Sequence, residues 1–167
     1  MRLEDEIKQS KFASEKHKLV VNLIYTTNWL MYNHTACLKP FDISPQQYNV
    51  LRILRGQYPK PAMLALIQER MLDKSSNATR LVEKLRVKGL VTRDLCENNR
   101  RQVDILITEK GLELLKIMDE VLEKQHKMFD FIQEKDAKFF NDMLDKLRDA
   151  KPTLPADSLN VRDSDEA

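Results

Sequence analysis

The sequence predicts a mainly α-helical fold with one small β-hairpin past its midpoint. Three observations carry that reading. The 167 residues include only three glycines and six prolines. Apolar residues recur at three- and four-residue intervals over most of the chain, the period of a helix face. One stretch alone, Leu90 to Thr108, is rich in β-branched residues, with Val103, Ile105 and Ile107 alternating. The length suffices for one domain, or two joined parts, with its own hydrophobic core.

The elements follow in order. From about Phe12 to Cys37, the positions Leu19, Val20, Leu23, Ile24, Thr27, Leu30 and Met31 mark one face of a long first helix, which Pro40 in "KPFDIS" stops. Ser44, Pro45 and Gln47 then place a hydroxyl at the N-cap, proline at the first helical position and glutamine at N3, a capping box. Tyr48, Leu51 and Leu54 give that second helix a buried stripe, and Gly56 ends it. Pro59 and Pro61 punctuate a linker into the compact apolar helix "AMLALIQERML". Asp73 is an N-cap for a further helix that runs to Gly89. On its wheel Leu81, Val82 and Leu85 fall beside Ala78, whereas Ser76, Thr79, Arg80, Glu83 and Lys84 lie opposite.

After Gly89, "LVTRDLC" and "VDILIT" read as two strands around a polar turn with Arg100 and Arg101 at the tip. Thr108 caps the next helix, whose stripe of Leu112, Leu115, Met118, Val121, Leu122, Phe129 and Ile132 continues to about Gln133. A last helix from about Asp136 to Asp149 carries Phe139, Phe140, Met143, Leu144 and Leu147. The proline- and acid-containing segment 151–167 reads as a disordered tail. The expected organisation is an N-terminal helical region over 1–43, a central domain over 44–108, C-terminal helices over 109–150, and the tail.

The net charge of +2 names no partner, but its distribution is uneven. Between Arg70 and Arg101 nine cations face four anions. Cys37 and Cys96 form no CxxC pair and have no histidine cluster, so neither a metal site nor a disulfide framework is expected. The acidic opening "MRLEDEIKQS" does not read as a signal peptide and no apolar run approaches membrane-spanning length, so the expected setting is a reducing cytoplasm without a membrane partner. The sequence lacks a phosphate-cradling glycine loop, a nucleophile elbow and HExxH, and no cofactor or enzymatic activity is expected.

Two short helices, a tight turn, a third helix with a polar face and a basic-tipped hairpin make a winged helix-turn-helix. In that architecture the N-terminal end of the third helix meets base edges in the major groove of double-stranded DNA, and short polar side chains let the backbone approach closely. The candidate DNA-binding residues are Lys74, Ser75, Ser76, Asn77, Thr79, Arg80 and Lys84, with Arg100 and Arg101 on the wing. Arg80 suits guanine O6 and N7, and Lys84 a phosphate. Glu83 either accepts from cytosine or orients Arg80. A narrow arginine-bearing wing fits the minor groove. The competing reading is a winged protein-interaction module whose basic face meets an acidic partner without sequence-specific DNA binding.

The run "LALIQERMLDKSSNATRLVEKLRVKGLVTRDLCENNRRQVDILITEKG" closely resembles the MarR family of bacterial transcription regulators, and the likeness extends from roughly Phe12 to Asp149. That resemblance implies a homodimeric repressor, built through its N- and C-terminal helices, that reads an inverted-repeat operator and is released by a small molecule or another signal. It also implies an effector pocket for a small, often aromatic molecule, and the corresponding region here holds Tyr25, Trp29, Tyr32, His34, Tyr48 and Arg52. Core and dimer packing is the alternative role for those aromatics. Oxidation of Cys37 or Cys96 is an alternative signal. The family's wing usually carries Asp-x-Arg, where this chain has Asn99 and Arg101.

Overall fold

The computed structural model describes residues 2–96 and 99–150, with the side chains of residues 96–102 outside the description. Two compact units divide it, Met1–Gln125 and one that begins at His126. Within the first unit the helices are α1 (Leu3–Ile7), α2 (Glu15–Leu38), α3 (Pro45–Arg55), α4 (Leu64–Arg70), α5 (Ala78–Val87) and α6 (Glu109–His126, closing at the boundary). The strands are β1 (Ala62–Met63), β2 (Val91–Cys96) and β3 (Asn99–Ile107). The second unit contains α7 (Glu134–Asp149).

Local chemistry accounts for most element ends. Ser14 accepts from the His17 N–H at 3.1 Å, so α2 starts at Glu15 rather than at Phe12. The capping box of α3 is complete: Ser44 Oγ accepts from the Gln47 N–H at 3.2 Å, and Gln47 Oε1 accepts from the Ser44 N–H at 2.9 Å. Gly89 follows α5 at φ +70, a backbone conformation that only glycine adopts at no steric cost. Thr108 Oγ1 accepts from the Gly111 N–H at 3.1 Å at the start of α6. The unanticipated α1 buries Leu3 and is tied to α2 by Glu4–Lys18 at 2.5 Å and by Tyr25 Oη donating to Glu6 at 2.8 Å.

Two further expectations change in this part of the fold. Ala62 and Met63 are not helical: they form β1, which pairs antiparallel with β3 through Ala62↔Ile105 and Met63↔Asp104 and makes a three-stranded sheet of order β1-β3-β2. Pairing supplies the backbone hydrogen bonds that a helix begun at Ala62 would otherwise have provided. The stripe expected to reach Gln133 is interrupted after His126, where a tight 3-10 turn (Lys127–Phe129) uses the Asp130 N–H to Lys127 O bond at 3.1 Å instead of continuing α6.

The core lies where α3, α4, α5, the sheet and α6 converge, around Leu51, Leu54, Ile67, Val82, Leu85, Ile105, Leu115 and Met118. By contrast, α2 buries only Leu38 of its 24 residues, and Leu19, Val20, Ile24 and Met31 are all exposed. Described by itself, α7 has Phe139, Phe140, Met143, Leu144 and Leu147 on one exposed stripe. No helix among the described residues is long and apolar enough to cross a membrane.

Candidate nucleic-acid interface

The segment Asp73–Val87 is not one helix. Asp73 does not cap α5; it organises a turn ahead of it, accepting from the Ser75 N–H at 3.0 Å, Ser75 Oγ at 2.6 Å and Ser76 Oγ at 2.7 Å. Those donors, Ser75 foremost and then Ser76, hold its carboxyl down at about 2. The N-cap is Asn77, whose side chain accepts from the Arg80 N–H at 3.0 Å. Gln68 of α4 decides between the two caps. Its Nε2 donates to the carbonyls of Lys74 and Ser76, each at 3.2 Å, and its Oε1 accepts from the Ala78 N–H at 3.4 Å, so the turn is held to the preceding helix.

The expected polar set therefore divides. Ala78, Val82 and Leu85 are buried, while Thr79, Arg80 and Lys84 stand exposed on the other side of α5. Among the described residues the side chains of Arg80 and Lys84 have no hydrogen bond or ion pair. Ser75 and Ser76 have their hydroxyls turned onto Asp73, and Ser76 is half-buried. Lys74 Nζ donates to the Glu69 carbonyl oxygen. Glu83 does not orient Arg80: it accepts two bonds from Arg86 Nε, at 3.2 and 3.0 Å, and one from Arg86 Nη2 at 2.8 Å, with Arg93 at 3.9 Å. Arg86 thereby keeps the Glu83 carboxyl below its ordinary range and neutralises the one acid on that side.

Beside α5 the sheet forms the wing. β2 and β3 pair antiparallel from Val91↔Ile107 to Leu95↔Val103, with an irregularity between Leu95 and Cys96. Arg100 and Arg101 belong to β3 rather than to the turn; their side chains, with those of Asn99 and Cys96, lie outside the described residues. The base of the wing is locked to α5 and α6. Thr108 N–H donates to Leu90 O at 3.0 Å, Thr108 Oγ1 to Gly89 O at 2.9 Å, and Lys110 Nζ to Lys88 O at 2.9 Å.

Of the six residues expected to line an effector pocket, the structure brings three together. His34, Tyr48 and Arg52 line a cleft of about 600 Å³ with Met31, Asn49 and Asp73. Tyr25, Trp29 and Tyr32 do not line it; at roughly 100° per residue they fall about 140–180° around α2 from His34. Tyr32 is 75% exposed. His34 and Tyr48 meet edge-to-face at 5.6 Å. Tyr48 Oη donates to Asp119 at 2.6 Å and accepts from Arg52 at 2.9 Å, and Arg55 donates to the other Asp119 oxygen at 2.5 Å. Burial alone would raise the Asp119 pKa, but Tyr48, Arg55 and the charge of Arg52 together hold it low. The sequence pattern does not single out Asp119 or Arg55; its one signal is a carboxylate directly after the apolar stripe position Met118.

A helix-turn-helix with an exposed polar face, followed by a hairpin packed at its base, defines a winged helix protein. Residues 43–103 match the sequence profile of the MarR family. A MarR transcription factor from Planctomyces limnophilus is 28% identical, with 84% of this chain and 100% of that one covered at a TM-score of 0.63. The transcriptional regulator BldR from Sulfolobus solfataricus is 25% identical, covering 84% and 99% at a TM-score of 0.64. The organohalide-sensing regulator RdhR-CbdbA1625, solved in its 2,4-dichlorophenol-bound form, shares the fold at 18% identity and a TM-score of 0.73, covering 84% and 86%. Over residues 43–103 the chain is thus similar to the MarR family, and the same fold extends across 84% of the chain in the Planctomyces limnophilus factor.

Proposed function

We propose that the chain is a sequence-specific double-stranded DNA-binding transcription regulator that acts as a homodimeric repressor. The observation that carries this reading is the outward face of α5, where Thr79, Arg80 and Lys84 are exposed beside a wing whose strand contains Arg100 and Arg101. Arg80 reads a base edge, Lys84 and the wing arginines meet phosphate or minor groove, and Asn77, Ser75 and Ser76 shape the turn that presents Arg80. The exposed apolar residues of α2, and separately those of α7, supply dimer surfaces: a helix about 36 Å long with one buried residue gains little from its own chain. A two-fold dimer pairs with an inverted-repeat operator.

The cleft at His34, Tyr48 and Arg52 is the proposed effector site, for a small aromatic molecule, as supported by the phenol-bound relative. Asp73 lines the same cleft and organises the turn before α5, so an occupant there would bear directly on the DNA-reading element.

Selecting bound duplexes from a random pool, then measuring affinity at two salt concentrations, tests the reading. A symmetric site is expected. Arg80→Ala should cost about 1–3 kcal/mol on that site and relax its sequence preference. Arg100→Ala should weaken binding to all duplexes and reduce the salt slope by about one. Binding indifferent to sequence and symmetry, or unchanged in both variants, would favour the protein-interaction module instead.

A further inference from the structure

We propose that a second cleft, between the end of α2, the start of α3 and the end of α5, binds the oxyanion of a small phosphorylated molecule. The cleft measures about 540 Å³ and is separate from the aromatic one described above. Lys39, Lys84 and Lys88 line it from two segments distant in sequence, the end of α2 and the end of α5. Asp42 also lines it, but Lys88 Nζ is committed to that residue, donating to its carboxylate at 2.7 Å and to its carbonyl oxygen. The charge of Lys84 also helps to lower the Asp42 pKa, but with Lys39 the cleft carries three ammonium groups against one carboxylate.

The floor of the cleft supplies the second observation. Gln47 is 5% exposed, and its Nε2 has no hydrogen-bond partner among the described residues. The orientation of the amide is fixed, because Oε1 accepts from the Ser44 N–H in the capping box. Rotating the amide to satisfy Nε2 would forfeit that bond. A buried amide donor without an acceptor is costly, and here its residue lines a cleft in which Lys39 and Lys84 add two ammonium groups to the Asp42–Lys88 pair. An anionic oxygen satisfies all three at once. Ammonium groups are point charges that do not demand a planar partner, so they suit a tetrahedral phosphate as well as any oxyanion. Ile43 and Val87 give the remaining volume apolar walls, room for an organic body.

Such a ligand would bridge α2 and the C-terminal end of α5. The inference does not depend on DNA binding, and the test separates the two. Inorganic phosphate is titrated into the full-length chain by calorimetry, with chloride titrated at matched ionic strength as reference. Saturable binding of one phosphate per chain is expected. Gln47→Glu keeps an oxygen for the Ser44 N–H but replaces the donor with a second acceptor, and should weaken binding at least tenfold. Lys39→Ala combined with Lys84→Ala should do the same without touching the capping box. Repeating the titration on protein saturated with duplex distinguishes the source: phosphate that still binds marks a free small molecule, and phosphate that is displaced marks a DNA backbone phosphate in the same cleft. Heat no different from chloride, or unchanged affinity in both variants, means an adventitious ion only and overturns the site.

Discussion

Gly111 is where two physical effects oppose each other most clearly. It lies buried in the first turn of α6, where alanine would normally be the better residue by about 1 kcal/mol of helix propensity. A Cβ there would overlap the Leu90 carbonyl oxygen and stand 2.8 Å from Ile107 Cγ1. Neither neighbour can retreat. Leu90 O is fixed by the Thr108 N–H at 3.0 Å, and Ile107 is buried in the sheet. Overpacking costs about 1–3 kcal/mol, and a backbone obstacle puts this site at the upper end. Gly111→Ala should therefore lose about 2 kcal/mol net, roughly a thirtyfold smaller folding constant. Urea unfolding followed by circular dichroism, at one fixed protein concentration for both proteins, measures it. A variant as stable as the parent would show that propensity wins and that the base of the wing is not the rigid joint described here.

Asp119 and Asp73 allow two further tests. Asp119→Asn should cost about 1 kcal/mol at neutral pH, since Tyr48 keeps an acceptor while the charge on Arg55 loses its partner. The folded-state pKa of Asp119 lies below its unfolded value, so its contribution is fully present above about pH 4 and is lost as pH falls through the lower folded value. The stability gap between parent and variant should close on acidification, and a gap that stays constant down to pH 2.5 would contradict the network. The Asp73 carboxyl carbon should titrate near 2 in an NMR series, because its hydrogen-bond donors favour the charged form. Titration at the ordinary 3.8 would mean that the Ser75 and Ser76 bonds do not persist in solution.

Much of the architecture is legible because the signals are local. The α3 capping box, the positive φ of Gly89, the Thr108 cap and the buried stripe Ala78–Val82–Leu85 all depend on residues within a few positions of each other. The start of α5 was less so. Asp73 and Asn77 are both good N-caps four residues apart, and nothing within that stretch ranks them. Gln68, on a different helix, makes the choice by gripping the carbonyls between them. The cleft was half legible: its aromatic and basic residue types were identified, but the helical period already sets Tyr25, Trp29 and Tyr32 away from His34.

The sequence by itself determined the longer helices and the β2–β3 hairpin, though not α1 or β1, and that one helix near the middle buries an aliphatic stripe beneath a polar face. Tertiary structure alone decided which polar groups on that segment are spent internally: Ser75 and Ser76 on Asp73, Glu83 on Arg86, with Arg80 and Lys84 left outward. It also decided that Asp119 meets Tyr48 across 71 positions of chain. Caps and periods are set by neighbours along the backbone, whereas the partner of a side chain is set by which elements pack together, and no short-range pattern records that.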